Sequence, residues 1–170
     1  MPEHNVDGPP SNDEIDVNGD SVLTFAVTEM GVSHIIVAGH TRCGGVAACL
    51  LKDTPDKELA FNAKKVGCAP KEPEETRTWD DLPLSMRRWL QPVRDLAQTL
   101  PEDTTVLELV KENVRKQVGN VVRSAVVQDN WVGTGKGRLI GVHGWLYRLE
   151  TGEAEDLGLS VTSETNPCAK

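Results

Sequence analysis

The chain has few aromatic residues, no surplus of basic charge and no long apolar run. Two phenylalanines, one tyrosine and four tryptophans in 170 residues leave aliphatic side chains to fill most of any core. Eighteen Lys and Arg against 26 Asp and Glu give a formal charge of −8. That balance excludes sequence-independent nucleic-acid binding, which needs a basic footprint, and suits a protein that handles small molecules. No apolar run approaches the ~20 residues that span a bilayer. The opening stretch MPEHNVDGPPSNDEIDVNGD has no apolar core flanked by positive charge, so it does not read as a secretory signal. A cytoplasmic protein without a membrane partner is the expectation. The first cysteine is Cys43, and the others are Cys49, Cys68 and Cys168. With no signal for an oxidising compartment, reduced thiols or metal ligands are expected in place of disulfides. Cys49 reads as a buried thiol, Cys68 as a loop thiol and Cys168 as part of a tail.

What is present follows an α/β pattern. Length suits one domain. Residues 1–20 are rich in Asp, Asn, Gly and Pro and read as a flexible leader. DSVLTFAVTEMG spaces Leu23, Ala26, Val27 and Met30 as a helix, capped by Asp20 or Ser21 and stopped by Gly31. HIIVAG, with the strand placed over 34–38, is a continuous apolar run of the kind found in parallel strands buried on both faces. GGVAACLL begins a second helix. Residues 52–78 are charged, Pro-bearing and aperiodic, and read as a long surface loop. LPLSMRRWLQPVRDLAQTL predicts a helix interrupted or kinked at Pro92. TVLELVKENVRKQVGNVVRSAVV predicts one long amphipathic helix. RLIGVHGWLYRLETGEAEDL predicts a strand and a hairpin turning at Thr151-Gly152. GTGKGR at 133–138 has the glycine content of a phosphate loop but neither its spacing nor its place after a strand, and reads as a turn. The domain is predicted over 21–162, with 163–170 as a tail.

The chemistry concentrates in SHIIVAGHTRCGGVAACL. In open α/β sheets ligands bind beyond the carboxyl ends of strands, and His40 and Cys43 stand there. An imidazole and a thiolate separated by two residues can face one point and suit Zn²⁺. Gly44 and Gly45 allow close backbone approach. Two readings stay open on the residues alone: half of a metal site, or a strand-end histidine that caps the backbone beside a buried cysteine.

VSHIIVAGHTRCGGVAACL resembles the zinc-binding stretch of β-class carbonic anhydrases. The flanking DSVLTFAVTEMGV, LPLSMRRWLQPVRDL, ENVRKQVGNV and LIGVHGWLYRLETGEAEDL resemble successive segments of the same family, so the resemblance covers about residues 16–162. It implies a short, mainly parallel sheet flanked by helices. It also implies Zn²⁺ as cofactor, CO₂ and bicarbonate as substrates, and a homodimer or larger homo-oligomer with contacts near 21–30 and 139–147. Trp145 and Leu139 are the expected interface or adjacent core positions. By resemblance His40 and Cys43 are metal ligands, and Gly44 and Gly45 lie against substrate. The family's earlier Cys-x-Asp-Ser-Arg stretch, which supplies another thiolate and an Asp–Arg pair, has no counterpart among the 39 residues before His40. The chain therefore reads as a member short at its N-terminus, with no catalytic side chain assigned and its turnover expected to be impaired. A non-catalytic zinc-binding or subunit-partner protein on the same scaffold is the alternative, and a zinc hydrolase of another small CO₂-like molecule is a third reading, because fold does not fix substrate. His4, Asp16, Asp20, Cys68 and His143 are the candidate substitute ligands, whereas His34 lies at the opposite end of the strand, about 20 Å from His40. Cys49, about 240° round a helix from Cys43, is expected to point away.

Overall fold

A computed structural model describes residues 16–53 and 78–166. The loop thiol Cys68, the candidate ligand His4, most of the loop 52–78 and the tail cysteine Cys168 lie outside the described residues.

The element order is α1 (Val17–Thr28), β1 (His34–His40), α2 (Gly44–Cys49), a 3₁₀ turn (Trp79–Asp81), α3 (Leu84–Gln98), α4 (Val106–Arg123), α5 (Ala125–Trp131), β2 (Gly141–Arg148), β3 (Glu153–Asp156) and β4 (Val161–Thr162). No described helix is long and apolar enough to cross a membrane.

The leader expected over 1–20 gives way earlier than its composition suggests. Asp16 Oδ1 accepts from Gly19 N at 3.1 Å, so its carboxylate caps a helix that already includes Val17–Asp20. The long helix expected over 105–127 divides in two. Ser124 has extended dihedrals, φ −62° and ψ 145°, and its hydroxyl donates to Val121 O at 2.7 Å. A serine that bonds the preceding turn in this way offers the backbone an alternative to the helical ladder. Pro92, in contrast, lies inside α3 without ending it. Thr105 and Glu108 bond reciprocally at the head of α4, Glu108 accepting from Thr105 N at 2.7 Å and Thr105 Oγ1 from Glu108 N at 3.3 Å. This is a capping box.

The sheet has four strands in the order β1-β2-β3, with β4 also on β2. Ile140 N donates to Ser33 O and Thr41 N donates to Tyr147 O, so the partners ascend together and β1 runs parallel to β2. β3 and β4 pair with β2 antiparallel. The α/β class is as expected, with a mixed sheet. The hairpin closes at Arg148↔Glu153 around Thr151-Gly152 as the sequence predicts.

β1 corrects one expectation. Its burial alternates along its whole length, so it is not buried on both faces. Ile35, Val37 and Gly39 lie on the half-buried face, where Gly39 meets Val110 and Val114 of α4. The other face carries Ile36, 48% exposed. Among the described strands β1 pairs with β2 alone.

By internal contacts the described residues divide into two units, one of residues 16–37, 117–144 and 158–166, the other of 38–53, 78–116 and 145–157. In the first, α1 packs on α5, and Val27, Val118, Val122, Val127, Leu139 and Val142 are buried. In the second, α2 packs on α3. Its core gathers Val46, Cys49, Trp79, Leu82, Leu90, Leu109, Val110 and Leu146. Leu139 is thus a core position, while Trp145 is half-buried with an indole nitrogen that finds no partner among the described residues.

Candidate functional site

His40 ends β1, and Cys43 is the cap residue from which α2 starts. The thiol makes no capping hydrogen bond. His40 Nδ1 lies 2.9 Å from Thr41 O. A carbonyl can only accept, so Nδ1 carries the proton and Nε2 keeps its lone pair. Metal-binding histidines are oriented in this way, one ring nitrogen tied to a backbone oxygen and the other free to ligate.

Thr41 and Arg42 make the turn between them. Arg42 has φ 55°, the one positive φ at a non-glycine residue among those described. Such a conformation costs about 1–3 kcal/mol and persists where its surroundings impose it. Here Thr41, 8% exposed, anchors the turn. Its amide donates to Tyr147 O at 3.0 Å. Its hydroxyl donates to Glu150 Oε2 at 2.6 Å and accepts from Leu149 N at 3.0 Å. Arg42 Nε pairs with the other carboxylate oxygen of Glu150 at 2.7 Å. The Thr41 hydroxyl, the residue's own backbone amide and the Arg42 cation hold the Glu150 carboxyl below the usual carboxylate range. The sign follows: the clamp is complete at neutral pH and is lost as acid carries Glu150 through its lowered value. Beside the turn lies an open cavity of about 480 Å³ lined by Thr41, Arg42, Ala47, Val106, Leu107, Arg148 and Glu150.

Gly44 and Gly45 open α2. A Cβ at Gly44 would meet nothing within 4 Å, and one at Gly45 would sit 3.5 Å from Leu90.

Imidazole and thiolate are the right donors for zinc, but two are too few, since catalytic sites use three protein ligands and structural sites four. Among the described residues no group of three or more His, Cys, Asp or Glu could hold a metal ion. The substitutes weighed from sequence are occupied elsewhere or lie outside the description. His34 Nδ1 and His143 Nε2 bond one another at 2.9 Å, and His143 Nδ1 meets Ser160 Oγ at 2.8 Å. Asp16 caps α1, and Asp20 sits in its first turn. The residues present thus fit half of a zinc site.

Cys49 lies in the core of the second unit. Its thiol donates to Gly45 O at 3.3 Å and to Leu90 O at 3.8 Å. Burial pushes it up to about 11, against the opposing effect of Arg94 and with a further rise from Cys43. At pH 8 Cys49 is therefore held as the unreactive thiol. Iodoacetamide at that pH is expected to modify Cys43 and spare Cys49 until denaturant is added, as read by peptide mass spectrometry. Equal labelling of the two would contradict the burial of Cys49.

Thr41 and Glu150 escaped the sequence reading. They are 109 positions apart, and nothing local links them. The available signal was topological: two parallel neighbours, β1 and β2, end together at the side of the sheet where ligands bind.

The family model described as carbonic anhydrase matches residues 6–154. A carbonic anhydrase of Emericella nidulans is 29% identical over 153 residues, 85% of this chain and 54% of that protein. Two solved structures share the fold. The β-carbonic anhydrase of Coccomyxa, in complex with acetazolamide, superposes with a TM-score of 0.59 at 26% identity, covering 86% of this chain and 56% of that one. A tetrameric β-carbonic anhydrase from Sordaria macrospora gives 0.60 at 21% identity, covering 86% and 63%. The chain spans about half the length of the curated relatives it matches. Its turn of His40 and Cys43 at the end of a parallel strand, its matching fold and the family match over most of its length agree: the chain belongs to the β-class carbonic anhydrase family.

Proposed function

We propose that this chain contributes to reversible hydration of CO₂ to bicarbonate, with His40 and Cys43 as its zinc ligands and with weak turnover when the described residues act alone. One observation carries the reading. The strand-end imidazole has its Nδ1 tied to Thr41 O, which leaves Nε2 free three residues before a thiol that makes no capping bond. Two ligands do not fix a tetrahedral ion. The chain's own part is therefore to hold an imidazole and a thiolate in one turn, and zinc is assigned to it as a half-site. The same shortfall favours a second reading, a zinc-binding or subunit-partner protein without turnover. The assembly expected is a homodimer or larger, supported by the single described pairing of β1 and by the exposed Val22 and Phe25 of α1.

Purified full chain should carry well under one equivalent of zinc after dialysis against chelator, less still with Cys43→Ser, and should sediment as more than a monomer. Stopped-flow hydration of CO₂ should be slow and should rise with added zinc. Hydration absent at every zinc concentration would decide for the second reading. A full equivalent retained in the Cys43→Ser variant would remove the half-site altogether.

A further inference from the structure

One carboxylate takes a bond from each of the two residues that separate His40 from Cys43. Glu150 Oε2 accepts from the Thr41 hydroxyl at 2.6 Å, and Glu150 Oε1 pairs with Arg42 Nε at 2.7 Å. Each contact bears on a different part of the turn. The Thr41 bond fixes a nearly buried side chain whose own carbonyl receives His40 Nδ1, so the position of Thr41 sets the plane of the imidazole. The Arg42 bond holds the one described non-glycine residue in the left-handed region, and the peptide after it carries Cys43.

An exposed ion pair by itself contributes little. This one differs because it opposes a backbone cost. Without it Arg42 can relax to negative φ, which rotates the Arg42–Cys43 peptide and shifts Cys43 relative to His40. Leu149 N, which donates to Thr41 Oγ1 at 3.0 Å, closes the network from the same segment that bears Glu150.

We propose that Glu150 is a positioning residue for the His40–Cys43 pair, acting through Thr41 and Arg42 and touching neither ligand. The proposal rests on the reading of His40 and Cys43 as metal ligands, and its test separates the two.

The test uses the metal-free full chain and its variants Glu150→Ala, Thr41→Val and Thr41→Ser, with two readouts. The first is hydrogen exchange at the amides of Thr41 and Leu149. The second is titration with Co²⁺ alone, followed by the thiolate-to-cobalt charge-transfer absorption, with Cys43→Ser as the blank. Glu150→Ala and Thr41→Val should speed exchange at Leu149 roughly tenfold and weaken Co²⁺ binding by about 10-fold or more, the usual effect of losing an outer-shell partner. Thr41→Ser keeps the hydroxyl and should stay within about twofold of the parent in both. In an Arg42→Gly background, where left-handed φ carries no side-chain penalty, the Glu150→Ala effect on Co²⁺ should shrink to about threefold or less. If the parent shows no charge-transfer band, the metal reading fails while exchange still decides the proposal: faster exchange in Glu150→Ala upholds it. Exchange and Co²⁺ affinity both unchanged in Glu150→Ala would overturn it.

Discussion

Gly39→Val should unfold this protein or cost it about 3 kcal/mol or more, the upper range for overpacking a filled site. A Cβ on Gly39 would stand 2.7 Å from Val110 Cγ1 and 2.7 Å from Val114 Cγ2, closer than real carbon contacts allow. Neither neighbour can yield easily. Valine on a helix is held to one strongly preferred χ1 rotamer, and Val110 and Val114 are both almost fully buried. The remaining relief is to move β1 off α4, which shifts His40, the next residue. Gly39→Ala brings the Cβ alone and should cost about 1–3 kcal/mol by the same mechanism. Gly44→Ala is the contrast. Its Cβ meets nothing within 4 Å, and alanine suits the first turn of α2, so stability should hold or rise by up to about 1 kcal/mol. Urea denaturation of the three variants checks the ordering. A Gly39→Ala protein as stable as its parent would show that β1 does not lie so close on α4.

The same contact explains how much the sequence could disclose. The apolar run HIIVAGH announced β1 and, with it, the position of His40 and Cys43 at a strand's carboxyl end. The end of α1 was legible to within two residues: the helix stops at Thr28 with Glu29 as its cap, and Gly31, at φ 65°, follows. Its start was not. The composition of 1–20 argued for a leader, and a single carboxylate, Asp16, turned its last residues into helix. The break between α4 and α5 was hidden for a related reason: the apolar stripe continues through it, and only the local bond of Ser124 to Val121 O marks it. The one-sided burial of β1 is not legible in the sequence, because an unbroken apolar run does not say what covers each face. Gly39, read as part of that run, is there because α4 leaves no room for a side chain. Half of the candidate site, the histidine and the cysteine, was local and therefore readable. The Glu150 clamp was formed by topology, with partners 109 positions apart, and periodicity carries no trace of it.

Arg94→Ala should destabilise the second unit by about 3–5 kcal/mol, from two carbonyls left unpaired at about 1–3 kcal/mol each and the lost packing of a buried side chain. Arg94 is 6% exposed and belongs to α3. Its Nη1 donates to Cys49 O at 3.3 Å and to Leu51 O at 2.9 Å, and its Nη2 donates to Asp53 Oδ1 at 2.6 Å. The guanidinium also lies over the Trp79 ring, 4.3 Å from the ring centroid. One side chain thus satisfies carbonyls released where α2 ends, holds the strand of chain leading out of it, and stacks on the buried tryptophan where the described chain resumes. Trp79 N adds a bond to Lys52 O at 3.0 Å, so the two segments meet at Arg94. Truncation to alanine leaves two carbonyls and a ring face without their partner, which is why the loss should exceed that of an ordinary ion pair. Arg94→Lys keeps the charge but replaces a planar fork by a point, so it cannot serve both carbonyls and the aspartate. About 1–3 kcal/mol is expected for it, the cost of leaving buried polar groups unpaired. Asp53 has a side chain 71% exposed, and Asp53→Asn should cost less than about 1 kcal/mol because water screens and replaces its half of the pair. Thermal and urea unfolding should therefore rank the losses as Arg94→Ala, then Arg94→Lys, then Asp53→Asn. If Asp53→Asn proved as costly as Arg94→Ala, the ion pair would be carrying the junction and the carbonyl and ring contacts would be incidental to it.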